Sequence, residues 1–169
     1  MRKFWKIMIA IALIMSVATA GLYVFFQPKR ADVLKQTSLK ASTLQIKNLE
    51  TYLLANPGKH YLYFCKASSS DCEFIKNDLM VKLAGEANVT TFEDIESIDI
   101  SGLSNDISVN ALRNAWGFSH YPAFVAYDSS TAAIIVGQVL EWNEKMPFTM
   151  EDIKSWMKNV GIWHTEYTN

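Results

Sequence analysis

Two cysteines and a proline carry the chemistry this chain could perform. Tyr61-Leu62-Tyr63-Phe64-Cys65-Lys66-Ala67-Ser68-Ser69-Ser70-Asp71-Cys72 reads as a short apolar strand running into a loop, with Cys72 where a helix should begin. His120-Tyr121-Pro122-Ala123-Phe124-Val125-Ala126-Tyr127 is a second apolar strand with a proline at its mouth. A thiolate attacks disulfides and can be attacked as part of one, so a thiol at a helix start is a candidate for exchange chemistry. Proline supplies no backbone N–H and is confined to strand starts, edges or bulges. An X-Pro bond also takes the cis form far more cheaply than any other peptide bond.

The elements that would position these groups follow from pattern. Leu44-Gln45-Ile46 reads as a short first strand. Asn48 is expected to cap a helix that buries Leu49, Tyr52 and Leu53 and stops at Asn56-Pro57-Gly58. His60 to Phe64 is the central strand candidate. Cys72 to Leu83 predicts a helix with Phe74, Ile75, Leu79 and Met80 or Leu83 on one stripe and Gly85 beyond it. Ser97-Ile98-Asp99-Ile100 alternates as a third strand, and Asn110 to Trp116 is a short helix ended by Gly117. Ala123 to Tyr127, a turn at Asp128-Ser129-Ser130-Thr131, and Ala132 to Gln138 form a hairpin. Glu141 to Pro147 reads as an inserted loop. Thr149-Met150-Glu151-Asp152 has the form of a capping box opening a last helix with Ile153, Trp156, Met157 and Val160. This β-α-β-α-β-α-β-β-α order predicts an α/β domain, a mixed central sheet with helices on both faces.

Half of the 169 residues are apolar and 12% aromatic, enough for a buried core and too apolar for a disordered chain. A net charge of −1 and a pI near 6.3 give no reason to expect nucleic acid as a partner. Two cysteines exclude a disulfide-rich scaffold and a four-ligand zinc site of the usual kind. His60 at a strand start and His164 in the tail have no companions at metal-ligand spacing, and His120 reads as exposed; neither a metal nor another cofactor is expected.

Arg2, Lys3 and Lys6 precede Ile7 to Phe26, a run without a charge. A helix of about 20 residues spans about 30 Å, the thickness of a bilayer core. Trp5 at one end and Tyr23, Phe25 and Phe26 at the other fit interfacial positions. Residues 1–6 therefore read as a basic cytoplasmic tail and 7–26 as a transmembrane anchor. A linker over 27–41, a folded domain over 42–163 and a tail over 164–169 follow. A cleaved signal peptide is the rival reading, because Ala18-Thr19-Ala20 has the form of a cleavage site, although the apolar run continues beyond it. Both readings put the domain outside the cytoplasm, on the cell membrane or secreted.

Strand, cysteine and helix, then an aromatic-Gly-apolar run (Trp116-Gly117-Phe118) leading through Ser119-His120-Tyr121 to Pro122, resemble the thioredoxin fold over roughly Leu44 to Val160. The resemblance implies a cis bond before Pro122, lying against the redox site, with Tyr121 projecting beside Cys72 and the adjoining backbone pairing with a bound peptide. Aligned on the strand and on Cys72, the family's C-x-x-C pattern falls on Ser69-Ser70-Asp71-Cys72. Cys72 takes the second, resolving position, and Ser69 stands where the nucleophilic thiol belongs. A hydroxyl cannot exchange with a disulfide, so this S-x-x-C site cannot run a two-thiol cycle by itself. Three routes stay open. Cys65 could pair with Cys72 if their Cα atoms lie within about 7 Å. Cys72 could act alone through mixed disulfides that a partner thiol resolves. Or the site is inert in redox and kept as a peptide-binding surface. Asp71 would oppose a thiolate at Cys72 and Lys66 would favour it.

A basic-tailed anchor before a small domain of this kind is similar to bacteriocin transport accessory proteins, thioredoxin-like proteins tethered to the membrane of Gram-positive bacteria. That resemblance implies an extracytoplasmic helper for thiol–disulfide chemistry on an exported peptide or protein, working with a membrane redox partner or a peptide exporter. Cys72 and Cys65 would be its thiols, and Ser69, Asp71, Tyr121 and Pro122 would contact substrate. The competing expectation is a non-catalytic binding or protective module on the same fold.

Overall fold

A run of aromatic and aliphatic residues between Lys59 and Cys65 forms the central strand, and the other elements pack around it. The computed structural model describes residues 38–40, 43–103, 105–131 and 133–163, without the side chains of 105–109 and 133–137. The expected basic tail (1–6), transmembrane segment (7–26), most of the linker (27–37 and 41) and the tail (164–169) lie outside the described residues. Among the described residues, no helix is long and apolar enough to cross a membrane.

In chain order the elements are β1 (Thr43–Gln45), α1 (Ile46–Ala55), β2 (Lys59–Cys65), α2 (Ser70–Phe74), a π-helical turn (Ile75–Leu79), α3 (Met80–Glu86), β3 (Ile95–Asp99), α4 (Asn105–Trp116), β4 (Ala123–Asp128), β5 (Ala133–Glu141) and α5 (Met150–Val160). The sheet order is β1-β3-β2-β4-β5. β3 runs parallel to both β1 and β2, while β4 is antiparallel to β2 and to β5. This five-stranded mixed sheet fits the thioredoxin-like fold that the resemblance implies.

Period-two alternation divides the core. Tyr63, Ile95, Phe124 and Ala126 face a layer built from the π-helical turn, α3 and α5, including Ile75, Met80, Leu83, Ile153 and Met157. Leu62, Phe64, Ile98 and Val125 face α1 and α4 through Leu49, Leu53 and Leu112. Helices thus cover both faces, as expected. Phe124 is fully buried among Tyr63, Phe148 and Trp156, a site where truncation to alanine costs about 3–5 kcal/mol.

Several boundaries differ from the sequence reading. Asn48 lies inside α1; the N-cap is Gln45, which makes no side-chain cap. β1 runs into the helix without a loop, and the Gln45 amide donates across strands to Asp99. The helix expected from Cys72 starts at Ser70, and Phe74 is exposed, since it lies about 100° off the buried face of Ile75 and Leu79. β3 is Ile95–Asp99, α4 begins at Asn105, and Glu141 is the last residue of β5, not part of a loop. Leu39, placed in the linker, is fully buried, bridges Phe92 and belongs to the core. The folded body therefore begins by Ser38. The capping box on α5 is present, with Thr149 and Asp152 bonding reciprocally, and Gly161 closes the helix at φ 82°.

At the sheet end remote from the cysteines, His60 is buried between the Glu96 carboxylate (3.2 Å) and the Asn56 carbonyl oxygen (2.7 Å). The Tyr52 hydroxyl donates to the same carboxylate and ties α1 to the sheet. That hydrogen bond, then burial, then the Glu96 charge push the Tyr52 hydroxyl up from 10.0 to about 12. A raised folded value means that this contribution to stability is complete below pH 10 and is lost as pH rises toward 12. Ultraviolet titration should show one tyrosine ionising near 12, and Glu96→Gln should move it back toward its ordinary value. An unchanged titration in that variant would disprove the coupling.

Candidate functional site

Cys65 is the last residue of β2, and alternation puts it on the face of Tyr61 and Tyr63, against the α3–α5 side of the core. Its partner on the parallel side is Asp99, the last residue of β3. On the antiparallel side the last pair is Phe64 with Ala123, so the same register, continued one step, sets Pro122 opposite Cys65. The site therefore lies at one end of the three inner strands.

A tight loop returns the chain from β2 to α2. The Ser69 N–H donates to the Lys66 carbonyl (2.9 Å), and the Ala67 N–H to the Ser101 hydroxyl (3.1 Å). Ser69 is the N-cap of α2, its hydroxyl accepting from the Cys72 N–H at 3.5 Å. Serine is among the best N-cap residues, so Ser69 has a structural use at the position where the resemblance called for a thiol. Asp71 follows in the first turn and is half-buried.

Cys65 and Cys72 are joined by a disulfide, with Cα atoms 5.8 Å apart. The separation lies inside the usual range for such bonds. Of the three routes open from sequence, the pairing of the two cysteines is the one the geometry adopts. The two ends of the bond are unequal: Cys72 is 3% exposed and Cys65 is half-buried. The buried Tyr63 hydroxyl donates to the Cys72 carbonyl at 3.3 Å and fixes the first turn of α2 over β2.

The peptide bond between Tyr121 and Pro122 is cis, as the resemblance implies. Pro122 is buried, and its carbonyl accepts from the Trp142 N–H at 2.9 Å. The Glu141 carboxylate accepts from the backbone N–H groups of Ser119 (2.7 Å) and His120 (3.3 Å). These bonds hold the segment before β4 against the end of β5. Tyr121 was expected beside Cys72; its ring packs against the cluster of Phe64 and Phe118, on the sheet face opposite that of Cys65. The cause is alternation, which puts Tyr121 in phase with Ala123 and Val125. His120 is exposed and lies 3.8 Å from Glu141.

A groove of about 350 Å³ opens against the disulfide from the β1 side, lined by Thr43, Gln45, Ser97, Asp99, Glu73 and Lys76 with both cysteines. Sequence reasoning missed these residues. Alternation marks Ser97 and Asp99 as sharing a face, but only the register brings them beside Cys65. Burial raises the affinity of Asp99 for a proton, yet hydrogen bonds from the Ser101 hydroxyl and N–H, the Gln45 amide and the Ala67 N–H outweigh it. The carboxyl is held below its ordinary range, so Asp99 is an ionised, fully engaged wall of the groove and a poor proton acceptor.

No protein-family model matches the chain, and no curated protein does. Among solved structures the chain is similar to a redox protein from Chlamydomonas reinhardtii, at 12% identity and a TM-score of 0.45. The match covers 78% of this chain and 37% of that one, so the chain spans well under half the length of the structure it resembles.

Closing a loop of about eight residues restricts the unfolded chain by about 2–3 kcal/mol. Reduction of the bond, or Cys65→Ser with Cys72→Ser, should lower the urea midpoint of unfolding by that amount of free energy. No shift in the midpoint would mean that the loop is held by its hydrogen bonds alone.

Proposed function

We propose that this chain is a membrane-tethered, extracytoplasmic thioredoxin-like protein whose Cys65–Cys72 pair exchanges with the thiols of an exported peptide or protein. The observation that carries the reading is the disulfide itself, with Cys65 half-buried at the end of the central strand. The second thiol of the cycle is supplied by Cys65 in place of Ser69. Disulfides of this kind persist in oxidising compartments. The basic residues ahead of the uncharged 7–26 segment support an anchored domain facing such a compartment. Within that class the role is that of a bacteriocin accessory protein, with the client delivered by a peptide exporter and the pair reloaded by a membrane redox partner.

In the oxidising direction a client thiolate attacks one sulfur of the pair and the other leaves as a thiolate. A second client thiolate then attacks the mixed disulfide and releases the protein dithiol. A second reading, a non-catalytic peptide-binding or protective module, is favoured by one observation: Ser69 is fully accounted for as a helix cap, so the site reads equally as a braced loop.

Incubated anaerobically with a reduced dithiol peptide, the oxidised full chain should convert one equivalent of peptide to its disulfide, and Cys65→Ser or Cys72→Ser should abolish this. Retention of the biological effect in the double variant would leave only the binding module. Protease added to intact cells should remove the domain, and full protection would overturn the proposed topology.

A further inference from the structure

We infer that a client thiol reaches the Cys65–Cys72 bond from the β1 side of the sheet, along the groove floored by Thr43, Gln45, Ser97 and Asp99, and forms its mixed disulfide on Cys65. The inference rests on the thiol-exchange reading and adds to it a route of entry and a point of attack.

The sheet register supplies the route. Thr43 pairs with Ser97 and Ser97 with Tyr63; Gln45 pairs with Asp99 and Asp99 with Cys65. Residues in register share a sheet face, so these are two adjacent cross-strand rows of one surface. The second row ends at the sulfur of Cys65. Above the floor stand Glu73 and Lys76, from α2 and the π-helical turn. Strands lie about 4.8 Å apart, so the furrow from β1 to β2 is about 10 Å long, the reach of about three residues of extended chain. Among the described residues its outer end is the edge strand β1, where Thr43 and Gln45 are exposed, and the Ser38 hydroxyl donates to the Lys76 carbonyl beside it. A volume of about 350 Å³ is at the small end of the range for ligand sites, which fits a cysteine and its immediate neighbours.

The opposite approach is encumbered. On the Pro122 side three backbone groups are already used: the Pro122 carbonyl by Trp142, and the N–H groups of Ser119 and His120 by Glu141. Tyr121 packs away from the cysteines.

Access also selects the sulfur. Cys72 is almost wholly buried, whereas Cys65 is half-buried at the end of the furrow. The rate of exchange depends on which sulfur an incoming thiolate can reach. The client thiolate bonds to the Cys65 sulfur, the bond between the two cysteines breaks, and the electron pair leaves on the Cys72 sulfur, which takes a proton from water. A second client thiolate then attacks the client sulfur and expels Cys65, which is protonated in turn. The client loses two electrons and two protons, and the protein pair gains them. The chemistry required of the client is an unhindered alkyl thiol, carried by a peptide or by a small molecule.

The test uses the full chain. In Cys72→Ser, Cys65 should react with an acetylated Gly-Cys-Gly peptide, activated as its thionitrobenzoate disulfide, about tenfold faster than Cys72 does in Cys65→Ser. Thr43→Trp, and independently Gln45→Trp, should slow reduction of the wild-type bond by the reduced peptide about tenfold, while Met146→Ala in the loop beyond β5 leaves it unchanged. Parallel runs with 2-mercaptoethanol distinguish the carriers. Slowing of the peptide alone assigns the groove to peptides, and equal slowing of both assigns it to any thiol. Faster reaction at Cys72, or normal rates in both tryptophan variants, would overturn the inference. A wild-type bond that exchanges with neither reagent would instead overturn the thiol-exchange reading.

Discussion

The position of Cys65 at the end of a strand paired on both sides is the constraint from which the site follows. Parallel pairing to β3 sets Asp99 beside it, and antiparallel pairing to β4 brings Pro122 level with it. A shift of one residue in either ladder would turn Cys65 to the α1–α4 face and put Phe64 in its place. The burial of Leu62 and Phe64 on one side and Tyr63 on the other prevents such a slip. The hydrophobic core thus sets the location of the disulfide, whose Cys72 end is itself buried.

Around that point, polar groups do local bracing. Ser69 caps α2, Ser101 and Gln45 hold the Asp99 carboxylate, and Glu141 gathers two N–H groups ahead of the cis-proline. Each contact is worth only about 1 kcal/mol. Those of Glu141 hold the segment before Pro122, while those of Ser69 and Ser101 help fix the loop between the cysteines, whose small, exposed residues have little apolar surface to bury. The disulfide closes the same loop covalently. Opening the bond would remove one restraint on the loop and leave the hydrogen bonds as the others.

Much of the fold was legible because the periodicities are strong. The element order, the hairpin at β4 and β5, the capping box at Thr149 and Asp152, and the stop at Gly117 all follow from local chemistry acting over a few residues. The misplaced elements have identifiable causes. Asn48 looks like a cap, but β1 enters α1 directly and needs none. Phe74 looks like a core residue by type, yet falls off the buried face. Leu39 sits in a polar stretch, but its bridge to Phe92 and its packing with the α3–α5 layer draw it into the core.

The candidate site divides the same way. By itself the sequence determined that the two cysteines flank one short loop, that a serine stands three residues before Cys72, and that a proline opens the later strand. These are facts of residue type and spacing, legible without any partner. Tertiary structure alone decided that Cys65 and Cys72 are bonded, that Tyr121 turns to the other face, and that Thr43, Gln45, Ser97 and Asp99 floor a groove leading to the sulfurs. Those outcomes depend on the register between strands distant in the chain. Register is set by how the two core layers fill their volume, which no local spacing encodes.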